Sequence, residues 1–562
     1  MVYEVSKSPS KAELAINQHS LTSDGRIDTK QEMTLKEAYE AEELTDDPQL
    51  RKRLKRKILK NVLLISLTFF MLFTAYGGLS SLQSSLHKDE GMGTITQSLL
   101  YAAMVLSCLF VPKLLISVVG HKWTIPISMS GYILWMAANG YAVWGTMAST
   151  SILVGLCAAP LWTAQCTYFT KVAPTYCMIT GESSGAVVSR FFGIFFCLFQ
   201  LSYLVGSIIS STILMPPGGP DENNTLSQDE VYEYCGVNDC PWNNVTNPGQ
   251  TEPDDKTLWT MVGTYIAIAC AGVILVCVFV DNLPKYLRED RSRAKKDAAK
   301  ALIDTALHLK NKYQLLLIPI TIYSGLEQGF YGAEWTRSYV SCSLGMWMVG
   351  LVGIPGSIMN AIMSFSGGHI IKFTGRLPVF TFGFLLHLSV LLTLLLWPLD
   401  IEKDYVFFIL SIVWGMCDGV WQTQINDSSE AAFSNYRLWE SLGFVLAFAY
   451  SNVLCTDVKL YILISALCLG ISLYYTVEGM LRCRAKSGDS DADIDENKKD
   501  NFKKGVQDNG SVTMVTDAHS PETCSQKIRC SMPCSGNASD VAKQKNVFEN
   551  EGVVLAEFDT YM

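Results

Sequence analysis

Charged residues are scarce in this sequence. Only 17% of its 562 residues are Asp, Glu, Lys or Arg, whereas 49% are hydrophobic. A soluble chain of this length would divide into several cores, each covered by a polar surface. So low a charge content leaves too little polar surface for that arrangement, and it argues against a soluble multidomain protein.

Motifs that carry catalysis or bind metals are also missing. We find no nucleophile paired with a base, no Gly-rich phosphate loop and no zinc-type Cys-x-x-Cys pairs among the 17 cysteines. No stretch has the basic character of a nucleic-acid-binding segment. We therefore expect a protein that is not an enzyme, with no cofactor, no metal site and no nucleic acid partner.

What the sequence does contain is a series of long apolar runs. Twelve runs of about 18 to 25 residues occur, six within 61–281 and six within 314–481, and a helix of this length crosses a hydrocarbon layer of about 30 Å. Backbone polar groups find no water there, so each run must be helical. The sequence predicts an all-α membrane protein with twelve transmembrane helices in a six-plus-six arrangement.

Basic residues give the predicted helices a direction. The Arg51–Lys57 cluster directly precedes the first run, and a basic linker at 282–313 separates the two halves. Because cytoplasmic loops hold the excess of Lys and Arg, we expect both segments and both termini in the cytoplasm. Segment 1–60 has no apolar core of a cleavable signal peptide, and we expect it and the tail 482–562 to be disordered.

The linker at 282–313 also has one apolar face. Ala299, Leu302, Ile303 and Ala306 recur at helical spacing within this basic stretch. Such a helix is typical of a segment on the cytoplasmic leaflet, where anionic lipid attracts Lys and Arg. We therefore expect membrane lipid as a partner, and a solvated charged linker is the alternative.

The loop at 214–257 is expected on the outer side of the cell membrane. It is rich in Pro, Asn and acidic residues, and it contains two acceptor motifs for N-glycosylation, at Asn223 and Asn244. It also holds Cys235 and Cys240, which could bridge each other in an oxidising compartment. Two free thiols are the alternative.

Four ionisable residues fall within the second half. Ionisable groups inside a membrane are costly and are therefore candidates for function. The functional interpretation is that Glu327 and Asp418 line a cavity and bind a cation or a proton, and the structural interpretation is that they hold helices together. Arg437 and Glu440 lie three residues apart on one helix face, and we expect a structural ion pair.

Six plus six helices around a cytoplasmic linker is the plan of the major facilitator superfamily. Its members resemble one another in a loop after the second helix of each half, with the pattern Gly-x-x-x-Asp-x-x-Gly-Arg. The second-half copy at 368–376 keeps the glycines and Arg376 but has Lys372 in place of Asp. The first-half copy keeps Gly120 and has Ser117 at that position. These departures weaken the case for an active transporter.

Six stretches of the chain share a family pattern, and they are Thr74–Leu79, Ala158–Tyr168, Tyr323–Phe330, Thr336–Val340, Val420–Gln424 and Glu430–Glu440. Through them the chain resembles the unc-93 family over about 61–481, which includes all the predicted helices. It departs from that family at 425–429, where the relatives carry a longer stretch. We therefore expect a tenth helix that is short at its inner end, and a skipped exon in the sequence is the alternative.

The unc-93 resemblance implies a function that the residues alone do not reveal. The founding member of the family is similar to a regulator of a two-pore potassium channel, and a divergent branch escorts nucleic-acid-sensing Toll-like receptors. This chain resembles the first branch more. The resemblance implies a multi-pass plasma membrane protein that regulates or traffics a potassium channel subunit. The alternative is a secondary transporter of a small solute, with Glu327 and Asp418 as coupling groups.

Overall fold

The computed structural model describes residues 48–216, 227–242, 253–283, 312–425 and 430–505. Within these ranges the chain forms helices joined by turns, and they contain no strand. The predicted glycosylation sites Asn223 and Asn244 lie outside the described residues. So does almost all of the linker 282–313, including its predicted apolar face.

The first half of the chain is built from long helices. The chain is helical from Pro48 onward, so the expectation of disorder was wrong for residues 48–60. Lys, Arg and Leu are good helix formers and extend the apolar helix through the basic cluster. The long helices of this half are α1 Pro48–Ser80, α2 Met92–Val119, α3 His121–Asn139, α4 Trp144–Thr180, α5 Ser184–Leu214 and α6 Asp255–Phe279.

The second half has the same build. Its first helix, α7, continues as a π-helix over Tyr331–Ser341, a wider helical form that is often found at functional sites. The long helices are α7 Lys312–Phe330, α8 Met348–Thr374, α9 Arg376–Leu396, α10 Tyr405–Ile425, α11 Glu430–Tyr450 and α12 Thr456–Gly505. Short helices occur at Gln83–Leu86, Asp89–Gly91, Gln228–Tyr234, Gly236–Asn238, Cys342–Leu344 and Ile401–Lys403.

Helix α12 corrects the expectation for the C-terminal tail. Residues 482–505, which we expected to be disordered, are helical. Extending an existing helix needs no new nucleus, and Arg482 pairs with Glu478 one turn earlier at 3.1 Å. Residues 474–505 form the described part of a unit that is separate from residues 48–473.

The two halves repeat one pattern of helix packing. In the first half α1 packs on α5 and α2 packs on α4; in the second half α7 packs on α11 and α8 packs on α10. Contacts between the halves are also paired, because α2 packs on α11 and α5 packs on α8. Gly120 and Gly375 occupy equivalent turns with φ of 84° and 78°. This repetition is the arrangement that the six-plus-six pattern predicts.

Helices α7 and α11 approach each other closely at a pair of glycines. A Cβ atom at Gly325 would overlap the backbone of Glu440, and a Cβ at Gly443 would overlap the backbone of Ile322. Such close backbone contact is typical of helix pairs that lack hydrophobic bulk at their crossing. The crossing brings the polar residues of α7 next to those of α11.

Two disulfides join the loop between α5 and α6 to the second half. Cys235 bonds to Cys342, and Cys240 bonds to Cys455. The predicted Cys235–Cys240 bridge is therefore wrong. The physical reason is that segment 227–242 docks against the ends of α7 and α12, which place the other two thiols beside it. We call the end of the helix bundle that carries this segment the loop end.

Hydrogen bonds and packing hold segment 227–242 in place as well. The Gln228 side chain donates to the carbonyl of Leu399 at 2.6 Å and accepts from the backbone N–H of Ile401 at 2.9 Å. The carbonyl of Asp239 accepts from the N–H of Thr456 at 3.0 Å. Three hydrogen bonds therefore hold the segment on the second half of the chain at two places, residues 399–401 and the start of α12.

Many of the helices are long and apolar enough to cross a membrane. In the part of the chain that the structure describes, seven such helices occur, and Met348–Ser364 and Tyr405–Trp421 are shorter apolar helices. Whether the chain crosses twelve times stays a prediction. The seven are Pro48–Leu86, Met92–Leu109, Trp144–Thr180, Ala186–Leu214, Asp255–Phe279, Leu377–Leu396 and Thr456–Met480.

Candidate functional site

The carboxylate of Glu327 lies at the centre of a buried polar cluster in the second half. Its side chain is fully buried in α7, and its Oε2 atom accepts a hydrogen bond from the indole N–H of Trp414 in α10 at 2.8 Å. The imidazole of His387 from α9 is also fully buried, with Nε2 lying 3.9 Å from Oε2 of Glu327. Three helices thus meet at one carboxylate.

The neighbours of His387 fix its tautomer. The indole N–H of Trp421 donates to its Nδ1 atom at 3.0 Å, and the hydroxyl of Tyr323 lies 2.9 Å from the same atom. An indole N–H can only donate, so Nδ1 accepts and the neutral ring carries its proton on Nε2. That proton is on the side of the ring that faces Glu327.

Asp418 extends the cluster to the contact between the halves. Its carboxyl interacts with that of Glu327 and accepts a hydrogen bond from the amide of Asn360 in α8 at 2.6 Å. The amide oxygen of Asn360 in turn accepts from Gln200 in α5, in the first half, at 3.2 Å. The two carboxylates that the sequence singled out therefore belong to one cluster, which reaches both halves through amide side chains.

Arg437 and Glu440 form the ion pair that their spacing predicts. The guanidinium lies 2.6 Å from Oε2 of Glu440, whose other oxygen accepts from the hydroxyl of Tyr436 at 2.8 Å. Arg437 also lies over the ring of Trp162 in α4, 5.3 Å from its centroid. This cation–π contact ties α11 to the first half.

A second buried cluster, at the loop end, was missed from the sequence. Glu334, in the π-helix, lies 3.1 Å from Arg337 and 3.0 Å from Lys459, and it accepts from Ser451 at 2.6 Å. Arg337 also lies 3.5 Å from Asp239 of the docked segment. The i, i+3 spacing of Glu334 and Arg337 was a usable signal, but Lys459 lies far along the chain. We call Asp239, Glu334, Arg337, Ser451 and Lys459 the loop-end network.

Of the two positions where the superfamily loop pattern has Asp, the structure describes the side chain of Ser117. The hydroxyl of Ser117 donates to the carbonyl of Leu114 in its own helix at 2.8 Å. The side chains of Lys372 and Arg376 lie outside the described part. Within the described part, no group of three His, Cys, Asp or Glu is arranged to hold a metal ion.

The repeated helix pairing and the apolar helices define a class, a multi-pass membrane protein with a major facilitator-like fold. A mutant form of the nucleoside transporter NupG has a similar structure, with a TM-score of 0.51 over 75% of this chain and 99% of that one. The two sequences are 12% identical, so this likeness shows the fold alone.

The chain belongs to the UNC-93 family. The family model "Ion channel regulatory protein UNC-93" matches residues 86–474. Protein unc-93 homolog A of Xenopus laevis is 43% identical over 432 residues, which cover 75% of this chain and 93% of that protein. The protein of the same name from Homo sapiens is 42% identical over 429 residues, with the same coverage.

A more distant relative comes from Caenorhabditis elegans, and its name carries the words potassium channel regulatory protein unc-93. It is 33% identical over 447 residues, which cover 76% of this chain and 62% of that protein. The family resemblance inferred from the quoted stretches is therefore confirmed.

Proposed function

We propose that this chain is an accessory subunit that regulates or traffics an ion channel, and that the channel is a potassium channel. The observation that carries the proposal is the family match over residues 86–474, whose description is an ion channel regulatory protein. The name of the Caenorhabditis elegans relative supports potassium as the ion. In this proposal the chain has no catalytic activity of its own.

The residues at the Asp position of the superfamily loop pattern support a subunit rather than a carrier. A carrier alternates between two states, each of which needs its own stabilising contacts. Ser117 stands where the superfamily pattern has Asp, and its hydroxyl bonds within its own helix. Lys372 stands at the equivalent position of the second half. A molecule without these aspartates is expected to favour one state and to act through contact with a partner.

Co-expression with potassium channel subunits tests the proposal. We expect the current or surface amount of at least one channel to change when the chain is present, and Lys372→Asp to leave that change intact. A secondary transporter is the second candidate, favoured by the NupG-like fold. Saturable solute uptake by the purified chain in proteoliposomes, abolished by Glu327→Gln and without effect on any channel, would replace the subunit by a carrier.

We also propose an orientation in the cell membrane, with twelve spans and both termini in the cytoplasm. Disulfides persist in oxidising compartments, so the bonds of Cys235 and Cys240 support a loop end that faces outward. If so, replacing Asn223 and Asn244 by Gln should abolish the glycosidase-sensitive gel shift. Asn509 begins another acceptor motif, Asn-Gly-Ser, in the C-terminal tail. A remaining shift that required Asn509 would put the C-terminus outside.

The basic linker at 282–313 is proposed to lie on the cytoplasmic leaflet. A peptide covering 290–312 should bind anionic vesicles and dissociate as salt rises, because salt screens attraction between Lys or Arg and lipid phosphate. Equal binding to neutral vesicles would show that its charges do not contribute.

A further inference from the structure

Two buried carboxylates on one helix have opposite surroundings, since one is fully paired and the other is not. Glu327 and Glu334 both come from the continuous helix of α7, and both are buried, with exposures of 0% and 1%. Glu334 has a guanidinium, an ammonium and a hydroxyl within 3.1 Å. Among the described residues, Glu327 accepts one hydrogen bond from an N–H donor, that of the Trp414 indole to its Oε2 atom, and its other close polar neighbour is a second carboxyl, that of Asp418.

Within the described part of the chain, the surroundings of Glu327 supply no balancing positive charge. His387 is the one basic group described within 4.0 Å of it, and the Nε2 atom of His387 has no hydrogen-bond partner there. The other titratable side chains that interact electrostatically with Glu327 are neutral or acidic. They are Tyr323 and Tyr331 from the α7 helix, Cys417 and Asp418 from α10, and Glu440 from α11.

A carboxylate buried without a counter-charge is costly, and the cost falls when the site takes up positive charge. We propose that Glu327, with Asp418 beside it, forms a binding site for a monovalent cation, either a proton or an alkali ion. Carboxylate oxygens are hard ligands that suit both, and within the described residues no N–H donor reaches the buried Oε1 atom of Glu327. This site goes beyond the proposed channel-regulating function and does not depend on it.

Occupancy of this site would be transmitted to the contact between the halves. Asp418 is joined through Asn360 to Gln200 of the first half by hydrogen bonds of 2.6 and 3.2 Å. A cation that draws the Asp418 carboxylate toward Glu327 competes directly with the Asn360 amide. The bound ion would therefore change how tightly α5 is held to α8.

Two measurements on the purified full-length chain separate the two cations. Infrared difference spectroscopy reports a protonated carboxyl through its C=O stretch, and we expect a band that titrates with pH. Thermal unfolding at constant ionic strength reports an alkali ion. Once the site is saturated, the melting temperature should rise with the logarithm of the K⁺ or Na⁺ concentration, and it should stay constant in choline. Either response, removed by Glu327→Gln, supports the proposal and identifies the ion.

Two further variants make the test decisive. Glu440→Gln changes another buried carboxylate, one that already has Arg437 as its partner and that acts on Glu327 only through its charge, so it should keep the response and shift only its midpoint. Trp414→Phe removes the N–H donor of Glu327 and keeps an aromatic ring beside Phe330 and His387, so it should shift the midpoint of the titration even if Glu327→Gln fails to fold. The proposal is overturned if the wild type shows neither response, or if the response persists unchanged in Glu327→Gln and Trp414→Phe.

Discussion

At the scale of single residues, buried charge is stabilised at the loop end by complete pairing. Lys459 is fully buried and lies 3.0 Å from Glu334, and it also donates to the carbonyl of Ser451 at 2.7 Å. Lys459→Met keeps most of the packing volume but leaves Glu334 with less positive charge. Because it breaks a buried pair, we expect a loss of about 3–5 kcal/mol in the free energy of unfolding.

The measurement for Lys459→Met is thermal unfolding of the detergent-purified protein. The matched control is Lys403→Met, since Lys403 pairs with Asp400 at 2.8 Å on the surface, and exposed pairs contribute little. Equal melting temperatures for the two variants would contradict a stabilising role for the loop-end network.

His87 should make the free energy of unfolding depend on pH. It is buried between α1 and α2, and its Nε2 atom lies 2.9 Å from the side-chain oxygen of Asn139. Burial lowers the pKa of His87 below its ordinary value of 6.5, against the opposing effect of that hydrogen bond. The unfolded chain therefore binds a proton more readily than the folded chain does.

Because the pKa of His87 is lower in the folded state, the free energy of unfolding should fall as pH falls below about 6.5. It should stop falling once His87 is protonated in the folded state. His87→Gln removes the titrating group, so the decline should be smaller. Melting curves between neutral and mildly acidic pH check this, and parallel declines in the two proteins would exclude His87 as the cause.

At the scale of helices, α7 and α11 depend on their glycines. A side chain at Gly443 would meet the backbone of Ile322 and Leu326. We expect Gly443→Val to cost about 1–3 kcal/mol or more by overpacking, and to separate the helix that carries Glu327 from the one that carries Glu440.

Size-exclusion chromatography of a fluorescent fusion reports this effect as loss of the monodisperse peak. The control is Gly263→Ala in α6, where an added Cβ meets no atom within 4 Å. A sharp peak for Gly443→Val would show that the crossing can adjust.

The disulfide pattern allows a sharper test. With a protease site inserted in the linker 282–313, cleavage separates the halves except for the Cys235–Cys342 and Cys240–Cys455 bonds. The cleaved wild type should stay at full mass on a non-reducing gel and divide on reduction. In Cys342→Ser and in Cys455→Ser one bond remains, so the two halves should stay linked. In the double variant the halves should separate without reductant. Wild type that divides without reductant would contradict both inter-half bonds and return Cys235 and Cys240 to the two alternatives given by the sequence, a bridge to each other or two free thiols.

At the scale of the whole molecule, the sequence predicted the long helices and the two carboxylates of the Glu327 cluster, but not the loop-end network. Long apolar runs can be recognised directly in the sequence by their length, so the positions of the long helices follow from them. Glu327 and Asp418 were found because carboxylates are rare in such runs. The partners of Glu327 were not found, since Trp414, Trp421 and His387 read as ordinary members of apolar helices.

The disulfide partners and the loop-end network show where sequence reasoning ends. Cys342 lies 107 residues from Cys235, and Cys455 lies 215 residues from Cys240. Spacing favours the near pair, and only the docking of segment 227–242 on the second half reverses that preference. The same docking joins Asp239 to Arg337. Contacts of this kind depend on tertiary structure, which no local pattern encodes.

The two disulfides also set an order of events during synthesis. Each bond joins a cysteine made early to one made much later, with 107 and 215 residues between them. At about 5–20 residues per second, Cys240 waits roughly 10–40 s for its partner to leave the ribosome. During that time Cys235 is the nearest thiol. Completion of this protein therefore requires the nascent loop to be kept reduced, or a premature bond to be exchanged, until the last helix has been inserted.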